Sequence, residues 1–266
     1  MSIDKKTVQE FTTYSVYIEI YGEQSKKNKI GTATGFLVRK GEDIYLITNK
    51  HVVTGTNVFT RDIKGYPIEF KIIVHVLCED DGIISFGWDE KIIHLYDSNG
   101  DKQWVENKNE YIDVVSIKLT NDSNSFSNYV AYDYTWLKNP NCSIVDKLYI
   151  IGFPFGHTTL DSKHPLALWI SGSVASEPDF NYLYQEKYLP IFLIDARTKE
   201  GLSGSPIIEY NNSHMYSSGK TYNIYKEEER GYSANIVGIY SGRINSETDL
   251  GFAWRIDIAK ELIDMN

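Results

Sequence analysis

The chain has 266 residues, 42% hydrophobic and 14% aromatic, which excludes a disordered sequence and suits one large β domain or two small ones. A formal net charge of −9 and a pI near 5.2 leave no broad cationic face for phosphates, so general nucleic-acid binding is excluded. No apolar run approaches the ~18 residues a membrane-spanning helix needs, and no membrane partner is expected.

Taken in chain order, the pattern is strand after strand. The opening "MSIDKKTVQEFTTYSVYIEIYG" lacks the apolar core and small residues of a secretory signal, so a cytoplasmic location is expected. "YSVYIEIYG", "ATGFLVRK", "DIYLITN", "FKIIVHVLC", "EKIIHLYD" and "DVVSIKL" are short, β-branched or aromatic, and separated by Gly, Asn, Asp and Lys clusters. A polar stretch, "TNDSNSFSN", then reads as a linker between halves at 1–122 and 123–266. "KLYIIGF", "LALWISGSV", "PIFLIDA", "SPIIEY" and "ANIVGIYSG" follow, with the polar run "NNSHMYSSGKTYNIYKEEERGYS" expected as a long exposed loop. Helical spacing is clear only in the tail "RIDIAKELIDMN", at Ile256, Ala259, Leu262 and Ile263. Many short strands with turns between them imply a sandwich or barrel. Cys78 and Cys142 are far apart and outside any CxxC pattern, so reduced structural thiols are expected, with no metal and no cofactor.

One stretch calls for chemistry. "EGLSGSPI", Glu200 to Ile207, places turn-forming residues around Ser203 directly after a buried strand. Taken alone it is a loop. A serine hydroxyl becomes a nucleophile at neutral pH only beside a base, usually histidine. His75 and His94 sit inside strand patterns, and His157, His164 and His214 lie in polar surroundings. His51 stands where the strand "DIYLITNK" ends and the chain turns, able to project into a cleft. Asp113 heads the apolar run "DVVSIKL", where a carboxylate needs partners and could orient an imidazole.

"GTATGFLV", "YLITNKHVV", "DVVSIKL", "IGFPFG", "DARTKEGLSGSP" and "GFAW" together resemble the trypsin-like (chymotrypsin-fold) serine proteases. The nearest likeness is to the bacterial Deg-type and glutamyl-endopeptidase-like branches, without their appended peptide-binding PDZ domain. The resemblance implies two six-stranded antiparallel β-barrels with a cleft between them and a short C-terminal helix. The wide His-to-Asp interval implies enlarged hairpins between residues 70 and 111. The catalytic set carried over is His51, Asp113 and Ser203, with the backbone N–H groups of Gly201 and Ser203 as an oxyanion hole. Pocket walls follow at Tyr240, Ser241, Gly242 and Arg243, with Ser241 bonding the aspartate. Gly251 is expected to leave room for a side chain. Arg197 matches the pocket floor, and an inward Arg197 or Arg243 would select an acidic residue. Both can equally pair with local acids or reach solvent.

Leu202 stands where many secreted relatives carry aspartate or asparagine, and where some zymogens pair the aspartate with a newly cut N-terminus. That activation route is therefore closed, and substrate or an activating or recruiting protein partner is one way the oxyanion turn would become ordered. The expected partner otherwise is a protein or peptide substrate. A catalytically silent trypsin-like peptide-binding module stays open, as does an assembly protein using the tyrosine-rich acidic surface.

Overall fold

A computed structural model describes residues 8–22, 29–80, 83–119, 128–138, 142–211 and 233–266. The linker stretch apart from Asn128, most of the late polar run and His214 lie outside the described residues.

The first half contributes β1 (Ser15–Gly22), β2 (Lys29–Lys40), β3 (Asp43–Thr48), α1 (Lys50–Thr54), β4 (Pro67–Asp80), β5 (Ile83–His94), β6 (Val105–Glu106) and β7 (Val115–Leu119), and its sheet is joined by β8 (Tyr132–Asp133) from beyond residue 122. The second contributes β9 (Lys147–Gly152), β10 (Leu168–Val174), β11 (Tyr182–Tyr184), β12 (Lys187–Leu189), β13 (Ile191–Ala196), β14 (Pro206–Asn211), β15 (Ser233–Arg243), β16 (Leu250–Arg255) and α2 (Asp257–Asp264).

The second half closes as the expected six-stranded barrel, in the order β10-β13-β16-β15-β14-β9. The first half is instead an eight-stranded sheet, β5-β4-β1-β2-β3-β7-β6, with β8 beside β2. That last pair is parallel, Val38 opposite Tyr132, in a sheet otherwise antiparallel. The enlarged hairpin is β4–β5, paired without interruption from Glu69↔His94 to Asp80↔Ile83. Past residue 127 the chain returns to the first sheet, Tyr129 bridging Val76 before β8. The helix α2 packs against β6 and β7.

Period-two alternation explains why β1 and β2 read as near-continuous apolar runs. Val16, Ile18, Ala33 and Leu37 face a core inside the first sheet, with Leu46, Ile72 and Val115. The intervening Tyr17, Phe36 and Val38 face a second core shared with Ile151, Phe153, Ile191, Ile239 and Trp254 of the barrel. The two halves are therefore joined through an apolar layer. In α2, Ile258, Ala259, Leu262 and Ile263 are buried, while Ile256 is buried as the residue capping its start.

His75 on β4 is 1% exposed, with the rings of Phe86 and Trp88 at 5.6 and 5.8 Å. The carbonyls of Thr13 and Pro165 lie near, but neither ring nitrogen makes a hydrogen bond of normal geometry. Loss of hydration therefore dominates and holds the imidazole pKa down at about 4. An unfolded histidine titrates near 6.5, so protonation favours unfolding. Stability is fully present above pH ~6.5 and falls as pH drops towards 4, by on the order of 3 kcal/mol at most. Urea unfolding of the native protein and His75→Leu across that range is expected to show a clearly flatter dependence in the variant. Parallel curves would refute this account of His75.

Candidate active site

His51 lies in the first turn of α1, which starts as β3 ends. Asn49, fully buried, precedes the helix; its side-chain amide donates to the Asp113 carbonyl at 2.7 Å. Gly55 closes the helix in the left-handed region, φ 67°, its N–H donating to the His51 carbonyl at 2.9 Å. The imidazole is thus aimed by a helical turn fixed at both ends.

Asp113 stands just before β7 and is 2% exposed. A carboxylate so buried is costly unless its oxygens meet donors. Oδ1 accepts the His51 backbone N–H at 2.8 Å. Oδ2 accepts from His51 Nδ1 at 2.6 Å and from the Ser241 hydroxyl at 2.5 Å. Because the carboxylate only accepts, Nδ1 carries the ring proton, and the lone pair is left on Nε2. Nε2 lies 2.9 Å from Ser203 Oγ, which is also 3.2 Å from the Ser241 carbonyl.

The turn carrying Ser203 is pinned from both halves. Thr34 of β2 donates from Oγ1 to the Gly201 carbonyl at 2.8 Å and from its N–H to the Ser203 carbonyl at 3.0 Å. Its hydroxyl also accepts the Phe153 N–H at 3.1 Å. From the barrel side, the Gly204 N–H donates to the Tyr240 carbonyl at 2.9 Å. Leu202 is fully buried in the barrel core, so apolar burial anchors the position where an activation ion pair would otherwise form.

Both glycines are forced by contact as well as by φ. Gly201 has φ 91°, and a Cβ there would lie 2.4 Å from the Phe153 carbonyl oxygen. Gly204 has φ 84°, and its Cβ would meet the Thr34 carbonyl oxygen at 2.2 Å. The Glu200 carbonyl accepts from the Phe155 N–H at 2.6 Å. Across a trans peptide the Gly201 N–H must point the opposite way from that carbonyl. Among the described residues, no acceptor takes the Gly201 or Ser203 amide hydrogen.

Tyr240, Ser241, Gly242 and Arg243 line a cleft of about 280 Å³ beside Ser203, together with Phe59, Lys64, Tyr184, Lys199 and Phe252. Two sequence expectations need correction. Arg197 is outside the cleft: its side chain is 89% exposed and its guanidinium lies 3.8 Å from Asp249. The alternation Asp195 out, Ala196 in, Arg197 out, Thr198 in explains why. Gly251 leaves no open room, because the Tyr240 ring already occupies it, Cε2 lying 2.8 Å from where a Cβ would stand. Arg243 is exposed at the cleft, donating to the Ser246 carbonyl at 3.4 Å.

Sequence reasoning missed Thr34, Thr198 and Phe155. Of these, only Thr198 carried a signal, the inward phase of the strand before the turn. Among the described residues, no group of three or more His, Cys, Asp or Glu side chains is placed to hold a metal ion. Nor is any helix there long and apolar enough to cross a membrane.

No protein-family model matches the chain, and no curated protein sequence does. Solved structures do. The serine endoprotease from Yersinia pestis superposes with a TM-score of 0.50 at 13% identity, covering 98% of this chain and 67% of that one. Protease Anisep from Arthrobacter nicotinovorans gives 0.50 at 12% identity, covering 95% and 94%. The architecture is the chymotrypsin-like fold of trypsin-like serine proteases. At these identities the likeness carries the fold alone.

Thr34→Val removes the hydroxyl shared by the Gly201 carbonyl and the Phe153 amide, leaving both buried groups unpaired. The expected loss is about 2–5 kcal/mol of unfolding free energy, while Thr34→Ser, which keeps the hydroxyl, stays within about 1.5 kcal/mol. Equal losses in the two variants by urea unfolding would contradict the pinning role.

Proposed function

We propose that the protein is a serine endopeptidase working through His51, Asp113 and Ser203 on a protein or peptide substrate. The observation that carries this reading is the unbroken relay of contacts: Ser203 Oγ to His51 Nε2 at 2.9 Å, then His51 Nδ1 to Asp113 at 2.6 Å. The Ser203 proton passes to Nε2 as Oγ bonds the peptide carbonyl carbon. Asp113 stabilises the imidazolium and keeps its orientation. Negative charge on the carbonyl oxygen is received by the Gly201 and Ser203 amides, each worth roughly 3 kcal/mol of transition-state stabilisation. Collapse expels the amine, which takes its proton from Nε2 and leaves an acyl ester on Ser203. A water, deprotonated by the same nitrogen, then attacks the ester; collapse frees the acid and expels Ser203 Oγ, which takes the proton back from Nε2.

The chain's own contacts hold the nucleophile turn, so a protein partner in this reading recruits substrate rather than ordering the site. A silent peptide-binding module would gain nothing from a buried carboxylate given three donors, whose service is to orient an imidazole and the serine beside it.

Hydrolysis of a denatured protein by the purified chain tests the reading. Asp113→Asn leaves the ring proton on the wrong nitrogen and is expected to lower kcat about 10⁴-fold, as in this reaction class generally. Ser241→Ala removes one donor to the carboxylate and is expected to cost roughly 10–100-fold. Activity of Asp113→Asn within tenfold of native would overturn the assignment.

A further inference from the structure

The edge formed by Tyr240 to Arg243 borders Ser203, so a carbonyl attacked by its hydroxyl would sit beside that edge. Ser203 Oγ is 3.2 Å from the Ser241 carbonyl, and the Tyr240 N–H and carbonyl clasp Ser205 and Gly204 at 2.9 Å each. Behind that edge β15 faces β16, Arg243 opposite Gly251 and Tyr240 opposite Ala253. Two such small residues on the facing strand would leave a hollow for an incoming side chain. The Tyr240 ring fills it.

The ring is held at both ends. Its Cε2 abuts Gly251, at 2.8 Å from the site of a Cβ. Its hydroxyl hydrogen-bonds the Thr198 hydroxyl, on the segment leading into the nucleophile turn. Tyr240 is 2% exposed and Thr198 1%, so a side chain reaching from the cleft into the space beside Gly251 would have to evict a buried ring and break a buried hydroxyl pair. Burial raises the phenol pKa to about 12, so the ring stays neutral in this apolar setting. The two hydroxyls satisfy one another, and Arg243 is turned to the Ser246 carbonyl rather than to that hollow.

We propose that Tyr240 is the floor of the site receiving the substrate side chain on the acyl side of the scissile bond, and that this site takes small uncharged residues: glycine, alanine or serine. The proposal rests on the endopeptidase reading of the same cleft. It departs from the acidic preference that the arginines suggested at the level of sequence.

Peptide anilides differing only at that residue (Ala, Phe, Lys or Glu) test it, with fluorophosphonate labelling of Ser203 measured in parallel. The native enzyme is expected to favour alanine at least tenfold in kcat/KM over the other three. Tyr240→Phe keeps the floor and the preference, whereas Tyr240→Ala shifts the Phe-to-Ala ratio at least tenfold towards phenylalanine. A labelled native enzyme that prefers Phe, Lys or Glu overturns the proposal and leaves the endopeptidase reading standing. If Tyr240→Ala does not fold, the native and Tyr240→Phe preferences decide. Absence of both labelling and hydrolysis defeats the endopeptidase reading instead, and the floor is then read by binding. Indole is expected to raise the Tm of Ser203→Ala/Tyr240→Ala but not of Ser203→Ala. Indole stabilising Ser203→Ala with Tyr240 in place overturns the floor.

Discussion

Asp113 is the constraint from which the site follows. A carboxylate 2% exposed must gather donors, and those it gathers come from both halves of the chain. His51 supplies its backbone N–H and Nδ1 from the first, and Ser241 its hydroxyl from the second. Satisfying one buried charge thus fixes the imidazole tautomer, the entry of α1 and the edge of β15 against which Ser203 rests. The cost of burying the acid is converted into the orientation of its neighbours.

A second, neutral tie completes the arrangement. Thr34 sits on the strand whose two faces build the inner and the shared core, so its position is set by packing. From there it grips the carbonyls on either side of Leu202, while Leu202 itself is buried in the barrel. Where an ion pair to a cut N-terminus would order the same turn, this chain uses an apolar anchor and one threonine.

What sequence could convey depended on whether the signal was local. The turn at Ser203 was visible because two glycines bracket it, both demanded by positive φ and by close contact, though its chemistry was read only together with His51 and Asp113. His51 and Asp113 stood out as polar groups at the ends of apolar strands. The tail helix was legible from its period; the strand pattern left sandwich or barrel open, and the barrel came from the family resemblance. Less was visible where long-range register decides. Thr34 meets Gly201 across 167 positions, and nothing near it in the chain announces that. The two-residue β8 is too short to have a period, so its parallel seat beside β2 could not be read. The long β4–β5 ribbon was anticipated as an enlargement, but not that the first half would form an open eight-stranded sheet. At the pocket, spacing from Ser203 proposed Arg197, while strand alternation sends it outward and brings Thr198 in. Gly251 looked like empty space because a sequence does not say how far a neighbouring ring reaches.

The hydrogen bond between His51 Nδ1 and Asp113 is the most exposed point of this account, since every role given to Ser203 needs that tautomer. Proton NMR of the native protein near neutral pH is predicted to show one exchange-protected resonance far downfield of the amide envelope, lost in His51→Gln and in Asp113→Asn. A spectrum without such a resonance, or one in which it survives either substitution, would contradict the account.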